Sequence, residues 1–120
     1  MNEKVAKKWV KALRSGKYKQ TRHGKLRIGD AFCCLGVLCD LYIKEKPQEE
    51  WYDMVNIAPG VYSFLGAQHF LPDPVVEWAD ATSAGHDWSC KLIRLLPNMN
   101  DQGSTFSEIA DYIEKHTKEL

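Results

Sequence analysis

The chain alternates between stretches of helical period and short extended ones. Over residues 3 to 15, Val5, Trp9, Val10 and Leu13 recur at helical spacing, with lysines on the opposite face. Asn2 stands where an N-cap belongs, and Gly16 where a left-handed residue ends a helix. A helix this short is marginal alone, so its apolar face must pack on the rest of the chain. Residues 18 to 34 switch to period two: Tyr18, Gln20 and Arg22, then Lys25-Leu26-Arg27-Ile28. Gly29-Asp30 is a turn signal before Ala31-Phe32-Cys33, which predicts a short hairpin closed at that point. From Cys34 the helical period returns through Leu35, Leu38, Cys39 and Tyr42. Gly36 inside that helix costs about 1 kcal/mol relative to Ala. A close backbone approach, to the hairpin or to a partner helix, would account for it.

Residues 44 to 50 form a polar connection containing Pro47. Residues 51 to 71 mix aromatics (Trp51, Tyr52, Tyr62, Phe64, Phe70) with turn residues at Pro59-Gly60 and Gly66, and predict strands over 61–65 and 68–71. Asp73-Pro74 predicts a helix start, with Asp as the cap and Pro at the first helical position. That helix carries Val75, Val76, Trp78 and Ala79 and stops before Gly85. Residues 87 to 96 read as a short helix or a strand, and Pro97 would end either. Asn100-Asp101-Gln102-Gly103 reads as a turn. Thr105 with Glu108 makes a capping box for a last helix whose stripe is Phe106, Ile109, Ala110 and Ile113. The sum is one small α+β domain over residues 1–120, with about four helices and one or two short β-hairpins. A chain of 120 residues holds one core and not two.

Charge narrows the function classes. Sixteen basic and sixteen acidic residues cancel, whereas a nucleic-acid binder draws most of its affinity from a basic excess. Residues 104 to 116 look faintly like the first half of a helix-turn-helix, but no recognition helix follows, so no specific DNA binding is expected. No apolar run approaches the roughly 20 residues that span a bilayer. The first segment is charged and amphipathic with no signal-peptide core. A cytoplasmic protein without membrane contact is expected.

Three of the four cysteines lie in Phe32-Cys33-Cys34-Leu35-Gly36-Val37-Leu38-Cys39-Asp40-Leu41. In the cytoplasm they would be reduced thiols. Cys33, Cys34, Cys39 and Cys90 with His23, His69 or His86 do not have the spacing of a zinc ribbon or finger, so neither metal nor cofactor is expected. Their apolar surroundings predict buried, inert thiols. The catalytic alternative has Cys33 or Cys34 facing His23 across the hairpin. Asp30 and Asp101 are explained by turns and caps. Asp40, mid-helix among apolar residues, needs a donor, either a backbone N–H or an arginine. Trp9, Trp51, Trp78 and Trp88 read as core or subunit contacts, the latter being the signal for a homo-oligomer.

One local charge excess remains. Between residues 14 and 27 stand Arg14, Lys17, Lys19, Arg22, Lys25 and Arg27 with no acid among them, together with Tyr18 and His23. Cations beside a stacking surface suit a phosphate-bearing ligand or a nucleotide. The competing reading is a solvated hairpin face. No Walker or Rossmann glycine pattern accompanies the run.

Two blocks resemble a group of small uncharacterised proteins of tailed phages and prophages. One runs from Trp9-Val10-Lys11-Ala12-Leu13-Arg14-Ser15-Gly16-Lys17-Tyr18-Lys19-Gln20 through Leu26-Arg27 to the cysteine-rich stretch. The other is Asn100-Asp101-Gln102-Gly103-Ser104-Thr105-Phe106-Ser107-Glu108-Ile109-Ala110-Asp111-Tyr112-Ile113-Glu114. Leu71-Pro72 with Val76 and Trp78 is similar as well, whereas residues 44 to 70 match nothing in the group. The resemblance implies a phage accessory protein and no particular reaction. Such proteins often act against host defence or in host takeover. The leading expectation is therefore a non-enzymatic binding protein that sequesters a small phosphorylated, nucleotide-derived immune signal. Arg14, Lys19, Arg22, Lys25 and Arg27 would meet phosphate, and Tyr18 or a Trp would stack on a base. Gln20 and Asn100 would read polar edges, and Asp101 would meet a ribose hydroxyl. The alternatives are a protein–protein inhibitor or assembly factor acting on a host protein through an exposed aromatic patch, and a small nucleotide hydrolase.

Overall fold

The first helix, α1, spans Glu3–Arg14 in the computed structural model, which describes residues 1–81 and 91–120. The Asn2 side chain caps it by accepting from the Val5 N–H at 3.1 Å, and Gly16 follows its end at φ +75°. Val5, Ala6, Trp9, Val10 and Leu13 are buried, so the apolar stripe of the sequence is the packed face. Its main partner is α5 (Phe106–His116), which carries both halves of the Thr105/Glu108 capping box. Packed against α1 is α2 (Cys34–Glu45), with every residue from Cys34 to Cys39 buried.

The sheet consists of five very short strands: β1 (Lys19–Gln20), β2 (Arg27–Ile28), β3 (Ala31–Phe32), β4 (Tyr52–Asp53) and β5 (Val61–Ser63). They lie in the order β1-β3-β2-β5-β4. The hairpin at Gly29-Asp30 is β2–β3, antiparallel. β1 does not join it as a hairpin partner but runs parallel to β3. The expected strand over 68–71 is absent. Instead, Phe64 and Ala67 exchange backbone hydrogen bonds of 2.8 and 2.9 Å across a two-residue turn, with Leu65 at φ +50° and Gly66 at φ +86°.

Two further expectations are corrected. The helix at residue 73 is short, α3 (Asp73–Trp78), and Asp73 is its first residue and not its cap; Pro72 holds the cap position without a side-chain bond. Pro97 ends nothing. It sits inside α4 (Lys91–Asp101), which runs through the segment read as a turn at Asn100-Asp101. Proline removes one helical hydrogen bond, but Leu96 and Asn100 on either side are fully buried and hold the backbone in place. The α3 helix ends at Trp78, before Gly85 as expected; the start of the 87–96 element, Trp88 and Cys90 lie outside the described residues. Among the described residues, no helix is long and apolar enough to cross a membrane.

Gly36 answers its own question. A Cβ at this position would stand 1.9 Å from the carbonyl oxygen of Leu26, the residue that leads into β2. The same carbonyl accepts from the Cys33 N–H at 3.1 Å, and Leu26 is itself fully buried. Helix and hairpin meet backbone to backbone. Three indoles also converge on α2. Trp9 donates to the Cys34 carbonyl at 2.9 Å, Trp51 to the Asp40 carboxylate at 3.3 Å, and Trp78 to the Glu45 carboxylate at 2.7 Å.

Because backbone leaves no side chain to swing aside, Gly36→Ala is expected to cost about 3 kcal/mol, the upper end for overpacking. Urea unfolding should show a lower midpoint at unchanged slope.

Candidate functional site

The cations of the 14–27 run face different neighbours. Arg14, in the last turn of α1, pairs with Asp111 at 2.5 Å and Glu114 at 3.1 Å on α5, and these acids raise its guanidinium pKa, Glu114 most. Lys19 is exposed on the edge strand β1. Lys25 donates to His69 Nε2 at 3.2 Å, while His69 Nδ1 donates to the Gly24 carbonyl at 2.6 Å. Arg27 lies 4.0 Å from the Tyr62 ring centroid, 5.0 Å from Phe32 and 5.6 Å from Trp51, with Nε donating to the Gly29 carbonyl at 2.7 Å. The register explains this stack, since Phe32 and Tyr62 are the cross-strand partners of Arg27 on either side.

Gln20, Arg22 and Asn100 are brought together, in a role that closes the fold. Arg22 donates to the carbonyls of Asn100 at 2.7 Å and Ser104 at 2.9 Å, capping the C-terminal end of α4. Asn100 is fully buried. Its Oδ1 accepts from Gln20 Nε2 at 2.8 Å and from the Cys34 N–H at 3.2 Å. Its Nδ2 donates to the Thr21 carbonyl at 2.7 Å and to Asp101 Oδ1 at 3.2 Å. One amide therefore joins α4, the first turn of α2 and the flank of β1. Asn100→Ala would leave the Thr21 carbonyl and the Cys34 N–H unpaired. At about 1–3 kcal/mol per buried orphan, a loss of about 3 kcal/mol is expected in chemical unfolding.

Asp101 lines a cleft of about 230 Å³ with Gly24, Cys33, His69, Phe70 and Asn98. The cysteine thus shares its cleft with His69 and not with His23. It is no activated nucleophile. Cys33 Sγ caps α2 by accepting from the Gly36 N–H at 3.4 Å, and burial pushes its pKa up to about 11. Cys34 and Cys39 are fully buried and pushed up by the same cause. Among the described residues, no group of His, Cys, Asp or Glu is placed to hold a metal ion. A thiol whose folded pKa is raised contributes stability below the ordinary thiol range near 8.5 and loses it as pH rises. Cys33, Cys34 and Cys39 should therefore resist iodoacetamide at pH 8 in the native protein, as peptide mapping would show, and the unfolding midpoint should fall as pH climbs through 9 toward 11. Rapid modification of Cys33 at pH 8 would contradict the burial.

Lys17 and Tyr18 are the members of the run that line a different concavity. The Tyr18 hydroxyl donates to Asp40 Oδ2 at 2.6 Å; burial, then this bond, pushes the phenol pKa up. The donors to Asp40 are therefore a phenol and the Trp51 indole, and not the backbone N–H or arginine expected. The Tyr18 ring meets Phe32 edge-on at 5.2 Å, and Lys44 Nζ lies 5.8 Å from its centroid. Beside it runs a groove of about 320 Å³ between α1 and α2, lined by Lys8, Lys11, Lys17, Lys44, Tyr18 and Glu45, with Ala12, Ser15 and Leu41. A neighbouring groove of about 590 Å³ shares Lys11, Ser15 and Lys17 and adds Lys7, Arg14 and Glu114. Four lysines thus line the first groove with one acid. Glu45 accepts from Lys8 at 2.5 Å and from Trp78 at 2.7 Å, and these bonds, Lys8 first, lower its pKa. Of these lysines, only Lys17 belongs to the run singled out in the sequence. The signal for the rest was the polar face of α1, where Lys7, Lys8 and Lys11 recur at helical spacing.

The chain belongs to the family described as Domain of unknown function (DUF8296), whose family model matches residues 1–117. No curated protein and no solved structure matches it.

Proposed function

We propose that this domain is a non-enzymatic binding protein that captures a small phosphorylated ligand in the groove beside Tyr18. The observation that carries the reading is the composition of that groove, where Lys8, Lys11, Lys17 and Lys44 line one concavity with an aromatic ring and a single acid. Ammonium groups bind phosphate as point charges, and a ring face accepts a base without demanding its identity. Two or more phosphates are favoured, because several cations must be matched at once. Non-enzymatic capture is supported by the protonated, capping state of Cys33 and by the engagement of both His69 nitrogens. The biological setting proposed is that of a phage or prophage accessory protein, in which holding a nucleotide-derived signal would disarm a host defence.

Thermal unfolding with pyrophosphate, nucleoside di- and triphosphates and cyclic nucleotides tests this. A ligand present at 100 times its Kd adds about 2.7 kcal/mol, which raises Tm by several degrees in a domain of this size. The double variant Lys11→Glu/Lys17→Glu should keep the apo Tm within about a degree and lose the shift. Absence of a shift with every ligand at low ionic strength would remove the proposal. Product formation on incubation would replace it with hydrolysis.

A further inference from the structure

We propose that Glu45 is the specificity-determining residue of this groove, selecting phosphate esters that carry a neighbouring hydroxyl, as a ribose does, over bare polyphosphate. The inference rests on the ligand-capture reading above and goes beyond it by naming the chemistry next to the phosphate.

Glu45 is the one acid lining a groove that four lysines share. For a pure phosphate site such a residue is counterproductive, because it repels the ligand and occupies Lys8. It is also held in place. The Trp78 indole donates to Oε2 at 2.7 Å, and Trp78 in turn packs edge-on against Tyr42 at 5.5 Å. Lys8 donates to Oε1. The carboxylate is thereby anchored at the margin of the groove. Its side chain is still 39% exposed, so the carboxylate remains open to a ligand. Each carboxylate oxygen has two lone pairs, so both keep one free after these bonds. A fixed acceptor beside a cluster of donors matches a ligand with the same duality, phosphate on one side and hydroxyl on the other. Hydrogen bonds to a carboxylate are about twice as strong as those between neutral groups, so the residue that weakens bare polyphosphate strengthens the ester.

Isothermal titration separates these effects. The ligands are pyrophosphate, a ribonucleoside diphosphate and its 2′,3′-dideoxy counterpart; the proteins are the wild type and Glu45→Gln, which keeps an acceptor for the indole. The wild type should prefer the ribose ligand over the dideoxy one by about tenfold. In Glu45→Gln that preference should fall to about twofold, while pyrophosphate binds about threefold tighter. Opposite movement of the two ligands is the signature, since a merely structural role for Glu45 would weaken both. Trp78→Phe, which frees the carboxylate without removing it, should lower the ribose preference and leave pyrophosphate nearly unchanged. Binding with the same ribose-to-dideoxy ratio in both proteins would overturn the role of Glu45 and leave the groove standing. No binding of any ligand to either protein would overturn both.

Discussion

The carbonyl of Leu26 lies where a side chain of residue 36 would be, and the rest of the molecule is arranged around that contact. Ordinarily a sheet packs on a helix through a layer of side chains. Here the strand entry and the first turn of α2 touch through main chain alone, which brings the Cys33 N–H within bonding distance of the same oxygen. The helix start is then secured from a second side by the Asn100 amide, which reaches the next backbone donor, that of Cys34. Two of the first backbone donors of α2 are thus satisfied by tertiary partners. That allows a nearly all-apolar helix start to be buried without orphaned polar groups.

Charge is distributed according to backbone geometry. The 18–28 segment is not the continuous extended run that the sequence suggested: only Lys19–Gln20 and Arg27–Ile28 are strand and residues 23–26 bend between them, so the cations there disperse to a helix end, a histidine and an aromatic stack. On α1 the helical period gathers lysines onto one face, and α2 contributes Lys44 to the same groove. A run of like charges in sequence did not imply a concentration of charge in space, whereas a periodic set did.

Much of the architecture was legible from residues with a single physical meaning. Asn2, Gly16, the Thr105/Glu108 pair and the Gly29-Asp30 turn each marked an element boundary that the structure keeps. Gly36 announced a close approach, and Cys33, Cys34 and Cys39 announced burial. What escaped was whatever tertiary contacts decide. Strands of two residues carry no periodicity, so the parallel pairing of β1 with β3 had no local signal. Pro97 reads as a helix stop until Asn100 is known to be bonded on all sides, at which point the helix continues. At the candidate site, Tyr18 was legible as an aromatic among cations and Lys17 as one of those cations, but the other lysines of the groove lie on α1 and α2. Glu45 carried no mark that set it apart from any surface acid.

The three indoles that end on α2 come from three different parts of the chain: α1, the approach to β4, and α3. Each is a rigid strut with its polar end fixed, and together they brace the helix at its start, middle and end. A helix braced in this way cannot slide along its axis without breaking all three bonds. Under the ligand-capture proposal such a brace would offer a guest a seat already shaped, so that little conformational entropy is surrendered on arrival and encounter by diffusion, not rearrangement, sets the pace.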